Sequence, residues 1–385
     1  MFDKKKIKIA FLSTWPELTD GISTFCENLT LNLPKSYKNY SIDWSVIRVK
    51  WLPQKKVLYS NKILTEISFD KKEDYKKAAE LINNSNIDLV VIQFINAIYG
   101  DGGNMILEFI DNVKKPILVV LHSVAMLKEQ SGLAAKQALL KQFAIRNIEV
   151  VTMTKAAENF LVDDLKFKST AVNQIYHGAP EFKKISTIEK VRLRKKLGFS
   201  QTDKIVFTYG VLREDKGIEE IIKSIKIIQK DNTNVKLLLA GAEQTTGYIA
   251  KIKKIILNLN LDDKIIFINK FIPQEDIGKY LQISDIYITA QRNLGLHSSG
   301  TLAYALSAGS VVISTPTIHA KEFLKKAGSI VPVKNPNAIA KAVLDLLADD
   351  KDYKSKKRAS EILGKNILWP KVSKEYLDIA FDLVK

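Results

Sequence analysis

The chain has 385 residues, 46% hydrophobic and 26% charged, with a formal net charge of +17 and a single cysteine. That length is generous for one core and comfortable for two domains. Lone Cys26 excludes an internal disulfide and fits a reducing cytoplasm. No stretch approaches the roughly 20 apolar residues that span a bilayer. The opening MFDKKKIKIAFLST is basic, but its apolar run of about six residues is too short for a signal core and reads as a first strand.

The lysines are spread along the chain, with no basic block beyond Lys4–Lys6. The charge reads first as solvated helix faces. Its functional reading is attraction to phosphate: a nucleotide donor, an anionic lipid acceptor, or peripheral contact with the inner membrane face. No zinc-ligand spacing or RNP-like aromatic strand appears, so no nucleic-acid partner is expected. There is no Walker A sequence, no G-x-G-x-x-G after the first strand and no G-x-S-x-G elbow.

Apolar runs at 7–12, 44–49, 89–93, 117–121, 150–153 and 172–176 predict strands, with helix-period segments such as 22–33, 74–82 and 105–113 between them. The runs are rich in Val and Ile and barely alternate, as strands covered on both faces do. Strand–helix–strand repetition implies a parallel sheet with right-handed crossovers. The pattern breaks at 179–204, where Pro180 and a charged stretch carry no buried strand, and this reads as a linker. A second series follows at 204–208, 235–240, 265–269, 286–289, 310–314 and 329–333, with helices at 218–229, 276–283 and 337–347. The expected fold is α/β, two doubly wound Rossmann-like domains over 1–180 and 181–368, with a last helix at 369–385 crossing back to the first.

In open parallel sheets ligands sit outside the carboxyl ends of the strands. After the first predicted strand, Gly21 marks the turn into a helix. Its missing Cβ permits close approach of a ligand, and the helix start offers N–H groups to an anion. An ordinary strand-to-helix turn explains it as well. Gly100, Gly102 and Gly103 suggest a ligand-hugging loop or, equally, a turn. His122 ends a strand after four apolar residues, where its imidazole could donate a hydrogen bond to a sugar hydroxyl. Arg213 and Lys216 stand at the entry to a helix, where cations oppose the dipole. A diphosphate gripped between them would reverse that penalty, although two surface cations beside Glu214 and Asp215 are the plainer alternative. Ser298, Ser299, Gly300 and Thr301 form four consecutive small residues at a helix start, with Ser298 or Ser299 as cap and N–H groups open to phosphate. Gly309 is explained by capping alone.

In that order these loops resemble those of the GT-B glycosyltransferases, specifically the family 4 retaining enzymes. The likeness covers nearly the whole chain. It is strongest between Tyr209 and Val333, in the GxLxxxKG turn, Ala240-Gly241, the Ser299-Gly300-Thr301-Leu302-Ala303-Tyr304-Ala305 helix start, Val311-Val312-Ile313-Ser314-Thr315-Pro316 and His319-Ala320. Ser13-Thr14-Trp15-Pro16 with Gly21-Ile22, and His177-Gly178-Ala179-Pro180, match a subgroup of that family. The resemblance implies two Rossmann-like domains facing a central cleft. It implies that Gly21 and its loop approach the donor phosphate and the acceptor, and that His122 contacts the transferred hexose. Lys216 matches the diphosphate lysine, Ser299 to Thr301 the phosphate-receiving helix start, and Gly241 with Lys270, Phe271 and Ile272 the nucleotide-base region. It also implies a UDP- or GDP-linked donor, a glycan or lipid-linked acceptor, and no metal or separate cofactor. The chain departs from the pattern at Val211, where the family has an arginine that Arg213 would replace, and at Leu296 and Tyr304, where it has glutamates. The subgroup's QHE loop is here Gln93-Phe94-Ile95. These departures motivate an alternative, a catalytically degenerate subunit that binds a partner or glycan. An epimerase or phosphorylase on the same fold ranks third.

Overall fold

A computed structural model describes residues 5–15, 20–50, 61–127 and 132–385. The chain separates into two compact units, 1–178 with 369–385, and 179–368. The segment between Trp15 and Asp20, part of the first candidate loop, lies outside the described residues.

The first unit runs β1 (Lys6–Ser13), α1 (Gly21–Leu31), β2 (Ser36–Tyr37), β3 (Tyr40–Lys50), β4 (Ile63–Ser68), α2 (Lys72–Asn83), β5 (Leu89–Phe94), α3 (Ile106–Ile110), β6 (Ile117–Leu121), α4 (Leu133–Ile145), β7 (Glu149–Thr152), α5 (Lys155–Asp163) and β8 (Val172–Gln174). Its parallel strands lie in the order β4-β3-β1-β5-β6-β7-β8, and β2 adds antiparallel at the start of β3. Every residue of β5 and β6 is buried, which is why those strands read as unbroken apolar runs. The sequence pattern misses β4 for the opposite reason. It is an edge strand with one buried residue in six, so no continuous run marks it.

The second unit runs α6 (Thr187–Lys196), β9 (Lys204–Tyr209), α7 (Ile218–Ile228), β10 (Val235–Gly241), α8 (Tyr248–Asn258), β11 (Ile265–Asn269), α9 (Gln274–Ile283), β12 (Ile286–Thr289), α10 (Gly300–Ser307), β13 (Val311–Ser314), α11 (Ile318–Phe323), β14 (Gly328–Ile330), α12 (Pro336–Ala348) and α13 (Asp350–Asn366). The sheet is parallel throughout, ordered β11-β10-β9-β12-β13-β14. Counted within the unit this is the Rossmann order 3-2-1-4-5-6, whose switch point falls between β9 and β12. The stretch expected as a bare linker holds α6. A capping box between Ser186 and Glu189 starts that helix, and because none of its residues is buried it carries no apolar signal.

The last helix, α14 (Trp369–Leu383), belongs to the first unit. Trp369, Val372, Tyr376, Leu377 and Phe381 join Ile9, Phe11 and Phe25 in one core on a face of the first sheet. Gly178 lies flat against this helix, since a Cβ there would come 2.2 Å from the Trp369 ring. Trp369 is 1% exposed, so Trp369→Ala should cost about 4 kcal/mol of stability, read as a lowered denaturant midpoint. Among the described residues no helix is long and apolar enough to cross a membrane.

Candidate functional site

The switch point of the second sheet gathers two loops. The one after β9 reaches α7 through a short helical turn, Glu214–Lys216, and Gly217 in the left-handed region with φ of 64°. The one after β12 runs from Ala290 to Ser299. Three contacts lock them together. The Arg292 N–H donates to the Asp215 carbonyl at 2.8 Å, the Lys216 ammonium donates to Gln291 Oε1 at 3.2 Å, and Gly217 packs so tightly on Ala290 that a Cβ would lie 2.2 Å from its carbonyl oxygen. Gln291 is itself buried, and its carbonyl accepts from the Thr315 hydroxyl at 2.7 Å. The Arg292 guanidinium anchors the second loop on α7 by donating to Glu219 and Glu220, and the Tyr248 hydroxyl also donates to Glu219.

Lys216 therefore sits at the carboxyl edge of the sheet in a partly desolvated place. Burial, with a contribution from nearby Arg213, pulls its ammonium down to about 8. Its nearest carboxylate, on Asp215, is 3.9 Å away and is taken up elsewhere. Arg213 grips that carboxylate with two hydrogen bonds, at 2.5 and 3.0 Å, and donates to Gln244 Oε1 at 2.9 Å. The two candidate cations thus differ. Among the described residues Lys216 holds only a neutral amide at hydrogen-bond distance, whereas Arg213 would have to share or release Asp215 to meet a phosphate.

The start of α10 supplies amides. Ser299 is the cap, its Oγ accepting from Leu302 N–H at 3.3 Å and lying 3.3 Å from the Thr301 hydroxyl. Among the described residues, no acceptor faces the N–H groups of Gly300 and Thr301. Ser298 precedes this cap, half-buried. The β9 end lies alongside, with the Tyr209 hydroxyl donating to the Thr301 carbonyl at 3.4 Å. Open amides at a helix start and a partly buried cation, both at the carboxyl edge of one sheet, are groups suited to a phosphate.

The base-region candidates divide. Phe271 is 56% exposed and Ile272 is buried, immediately after β11. Gly241 has a packing reason to be glycine, because a Cβ would come 1.9 Å from the Gly210 carbonyl oxygen. Tyr304, at the second departure from the family pattern, donates its hydroxyl to Gln274 Oε1 at 2.9 Å. Two residues of this site escaped the sequence reading. Gln291 carries no motif of its own. His297 is 1% exposed with both ring nitrogens unpartnered among the described residues, and burial pulls it down to about 4, so it is neutral near pH 7.

In the first unit the switch point falls between β1 and β5. The expectation that α1 offers an open anion site there is corrected. The Asp20 carboxylate caps the helix, accepting from Ile22 N–H at 2.7 Å and Ser23 N–H at 2.8 Å, so the chain's own anion fills the position. Gly21 opens α1 with open space where a Cβ would stand. His122 is 7% exposed at the end of β6, its ring edge-on to Phe25 at 4.6 Å. Its Nε2 lies 2.8 Å from Gln93 Oε1, and because that oxygen only accepts, Nε2 carries the proton. The expected donor is thus already engaged on Gln93.

The family model for glycosyl transferases group 1 matches residues 189–362. Residues 189–362 are thus similar to a group 1 glycosyltransferase domain. That domain occupies nearly all of the second unit, including Lys216 and the α10 start. An uncharacterised glycosyltransferase of Methanocaldococcus jannaschii is 24% identical over 240 residues, 60% of this chain and 59% of that protein. The N-acetyl-alpha-D-glucosaminyl L-malate synthase of Bacillus anthracis is 22% identical over 255 residues, 64% of this chain and 63% of that enzyme. The chain thus matches somewhat less than two thirds of the length of these curated relatives. Among solved structures, a glycosyltransferase of Rickettsia africae superposes with TM-score 0.77 at 16% identity, covering 99% of both chains. Anabaena HepE, solved with UDP-glucose, gives TM-score 0.76 at 15% identity, covering 98% of this chain and 100% of that one. At such identities the likeness establishes the fold, and with two doubly wound parallel units this chain has the GT-B fold. Among its described residues, no three His, Cys, Asp or Glu side chains converge as a metal site would need.

Proposed function

We propose that the chain transfers a hexose, with retention, from a UDP- or GDP-sugar to a glycan or lipid-linked acceptor, and that the second unit holds the donor without a metal. The observation that carries this reading is Lys216, a partly buried ammonium whose hydrogen bond among the described residues goes to the neutral amide of Gln291, on the same sheet edge as the α10 start. In the reaction the bond from the anomeric carbon to the diphosphate oxygen breaks and a bond to the acceptor oxygen forms. The acceptor proton passes to the departing phosphate. Charge growing on that phosphate is met by Lys216, by Arg213 once it turns from Asp215, and by the N–H groups of Gly300 and Thr301. Gly21 and His122 are proposed to contact the acceptor and the transferred hexose. The base is assigned to the region of Gly241, Phe271 and Ile272. HepE was solved with UDP and UDP-glucose, which supports a nucleotide-sugar donor. The synthase and glycosyltransferase names of the relatives favour turnover over the degenerate-subunit alternative.

Titration calorimetry with UDP and GDP tests the reading, and absence of binding by either would overturn it. The Arg213–Asp215 pair adds a directional prediction. Asp215→Asn removes both the competitor for Arg213 and a negative charge near the phosphates, so nucleoside diphosphate affinity should rise by roughly 3–10-fold. The same titration would show unchanged or weaker binding if Arg213 takes no part.

A further inference from the structure

A cavity of about 300 Å³ opens in the second unit at the end of the sheet opposite the candidate donor site. Asp285 and Ser310, the residues just before β12 and β13, form its floor, and α6 and α13 supply its walls. The volume is at the lower end of the range for small-molecule sites. Four lysines line it: Lys184, Lys190, Lys357 and Lys365. Among the described residues none of the four pairs with a carboxylate, although the fold pairs many of its other lysines.

The two carboxylates that also line the cavity do not answer this charge. Asp285 accepts from the Ile205 N–H at 2.7 Å and lies 3.8 Å from Lys204 and 3.9 Å from Arg194. The Glu361 stem packs over Gly309. Four ammonium groups against two carboxylates leave the lining at +2. Lys190 registers the crowding, for burial, Lys357 and Lys184 together lower its proton affinity. Lys184, Lys357 and Lys365 are exposed, whereas Lys190 is half-buried with no carboxylate beside it among the described residues, which leaves the cavity a charge that an anion would answer.

The floor adds a second, independent sign. Ser310 lines the cavity, the residue is 8% exposed, and its hydroxyl oxygen, itself enclosed, has no hydrogen-bond partner among the described residues. A buried hydroxyl left unmatched costs about 1–3 kcal/mol, which a ligand oxygen would recover. The neighbouring polar groups are already satisfied. Tyr353 donates to the Asp285 carbonyl at 2.8 Å, and Gln282 bridges Ile185 N–H and the Lys183 carbonyl.

We propose that this cavity binds a phosphate-bearing group, its oxygens held by Lys190, Lys357 and the Ser310 hydroxyl, with Lys184 and Lys365 at the rim. The group is either a soluble sugar-phosphate-sized anion or a phospholipid headgroup, and the chemistry is shared. Lysine suits it because an ammonium serves as a point charge to phosphate without demanding a planar partner.

The test uses the full chain and three variants: Lys190→Gln with Lys357→Gln, Lys216→Ala to remove the donor-site cation, and Lys253→Gln with Lys254→Gln as an equal loss of charge on exposed α8. Glucose 6-phosphate and pyrophosphate are titrated by calorimetry at 0.15 M salt, and vesicles with and without phosphatidylglycerol are co-sedimented. The proposal expects binding of one probe class to weaken about tenfold or more in the Lys190/Lys357 variant and to persist in the other two. Loss with the soluble phosphates identifies a small-molecule ligand, and loss with phosphatidylglycerol vesicles alone identifies a headgroup. Ser310→Ala, which leaves the charge unchanged, should weaken the same probe, keeping the test open if the double variant melts early. Equal loss in the α8 control, or no binding of either probe class by the unaltered chain, overturns the proposal.

Discussion

Lys216→Ala is expected to lower kcat/KM for sugar transfer roughly 10²–10³-fold, the scale of removing one preorganised group from a developing negative charge. The chain should fold as well as before, because the substitution removes a desolvated cation. The pH dependence carries a sign. The folded group has its proton affinity depressed from the ordinary lysine value of 10.5 to about 8, mainly by burial. Its charged form therefore costs stability below about pH 8, and that cost is relieved as pH rises from about 8 towards 10.5. Donor capture runs the other way. The cation that meets the diphosphate is lost as pH rises through about 8, so kcat/KM, which reports the free enzyme, should fall above that pH. A Lys216→Ala variant should lose this limb of the profile. A profile flat to pH 9.5 in the unaltered chain, or full activity in the variant, removes Lys216 from the donor site.

Gly217→Ala is expected to be a severely damaging single-methyl addition to the loop that carries Lys216. The residue has φ of 64°, and its new Cβ would lie 2.2 Å from the Ala290 carbonyl oxygen and 2.9 Å from the Ala290 Cβ. Both obstacles belong to a residue packed at the end of β12, so neither can turn aside as a flexible side-chain tip would. The left-handed backbone alone costs about 1–2 kcal/mol in a residue with a Cβ, and the clash should bring the total to about 3 kcal/mol or more. Thermal unfolding should shift down by roughly 10 °C. Activity should fall as well, because relieving the clash moves the loop that carries Lys216 away from Gln291. Gly102→Ala is the matched control. Its φ is 62° but nothing lies within 4 Å of the added atom, so only the backbone cost should appear. Equal losses at the two positions would show that close packing against Ala290 is not what fixes this glycine.

The two substitutions test different layers of one site, and the layers differed in how far they could be read from sequence. Lys216, Arg213 and the run from Ser298 to Thr301 stand out locally, as cations at a helix entry and small residues at a helix start. Gln291 does not, because glutamine after a strand is unremarkable until a lysine 75 residues away is found on its side-chain oxygen. Gln93 is visible in sequence as part of the Gln93-Phe94-Ile95 motif, but its pairing with His122 across 29 residues is not. The Asp20 cap was within reach, since an acidic residue before Gly21 is a standard helix start signal, and weighing it would have withdrawn the open anion site at α1.

The alternation of unbroken Val- and Ile-rich runs with amphipathic helices by itself determined two parallel, doubly wound sheets, because a strand covered on both faces must be apolar at every position. It likewise determined which loops lie at the carboxyl ends of the strands. Tertiary structure alone decided where β4 and α6 form, since an edge strand and a solvated helix bury too little to leave a period in the sequence. It alone decided that Arg213 is held by Asp215 while Lys216 hydrogen-bonds an amide, and that lysines from two stretches far apart in sequence, 184–190 and 357–365, ring one cavity. Hydrophobic burial leaves a periodic trace along the chain, whereas charge pairing depends on through-space distances that exist only once the chain has closed on itself.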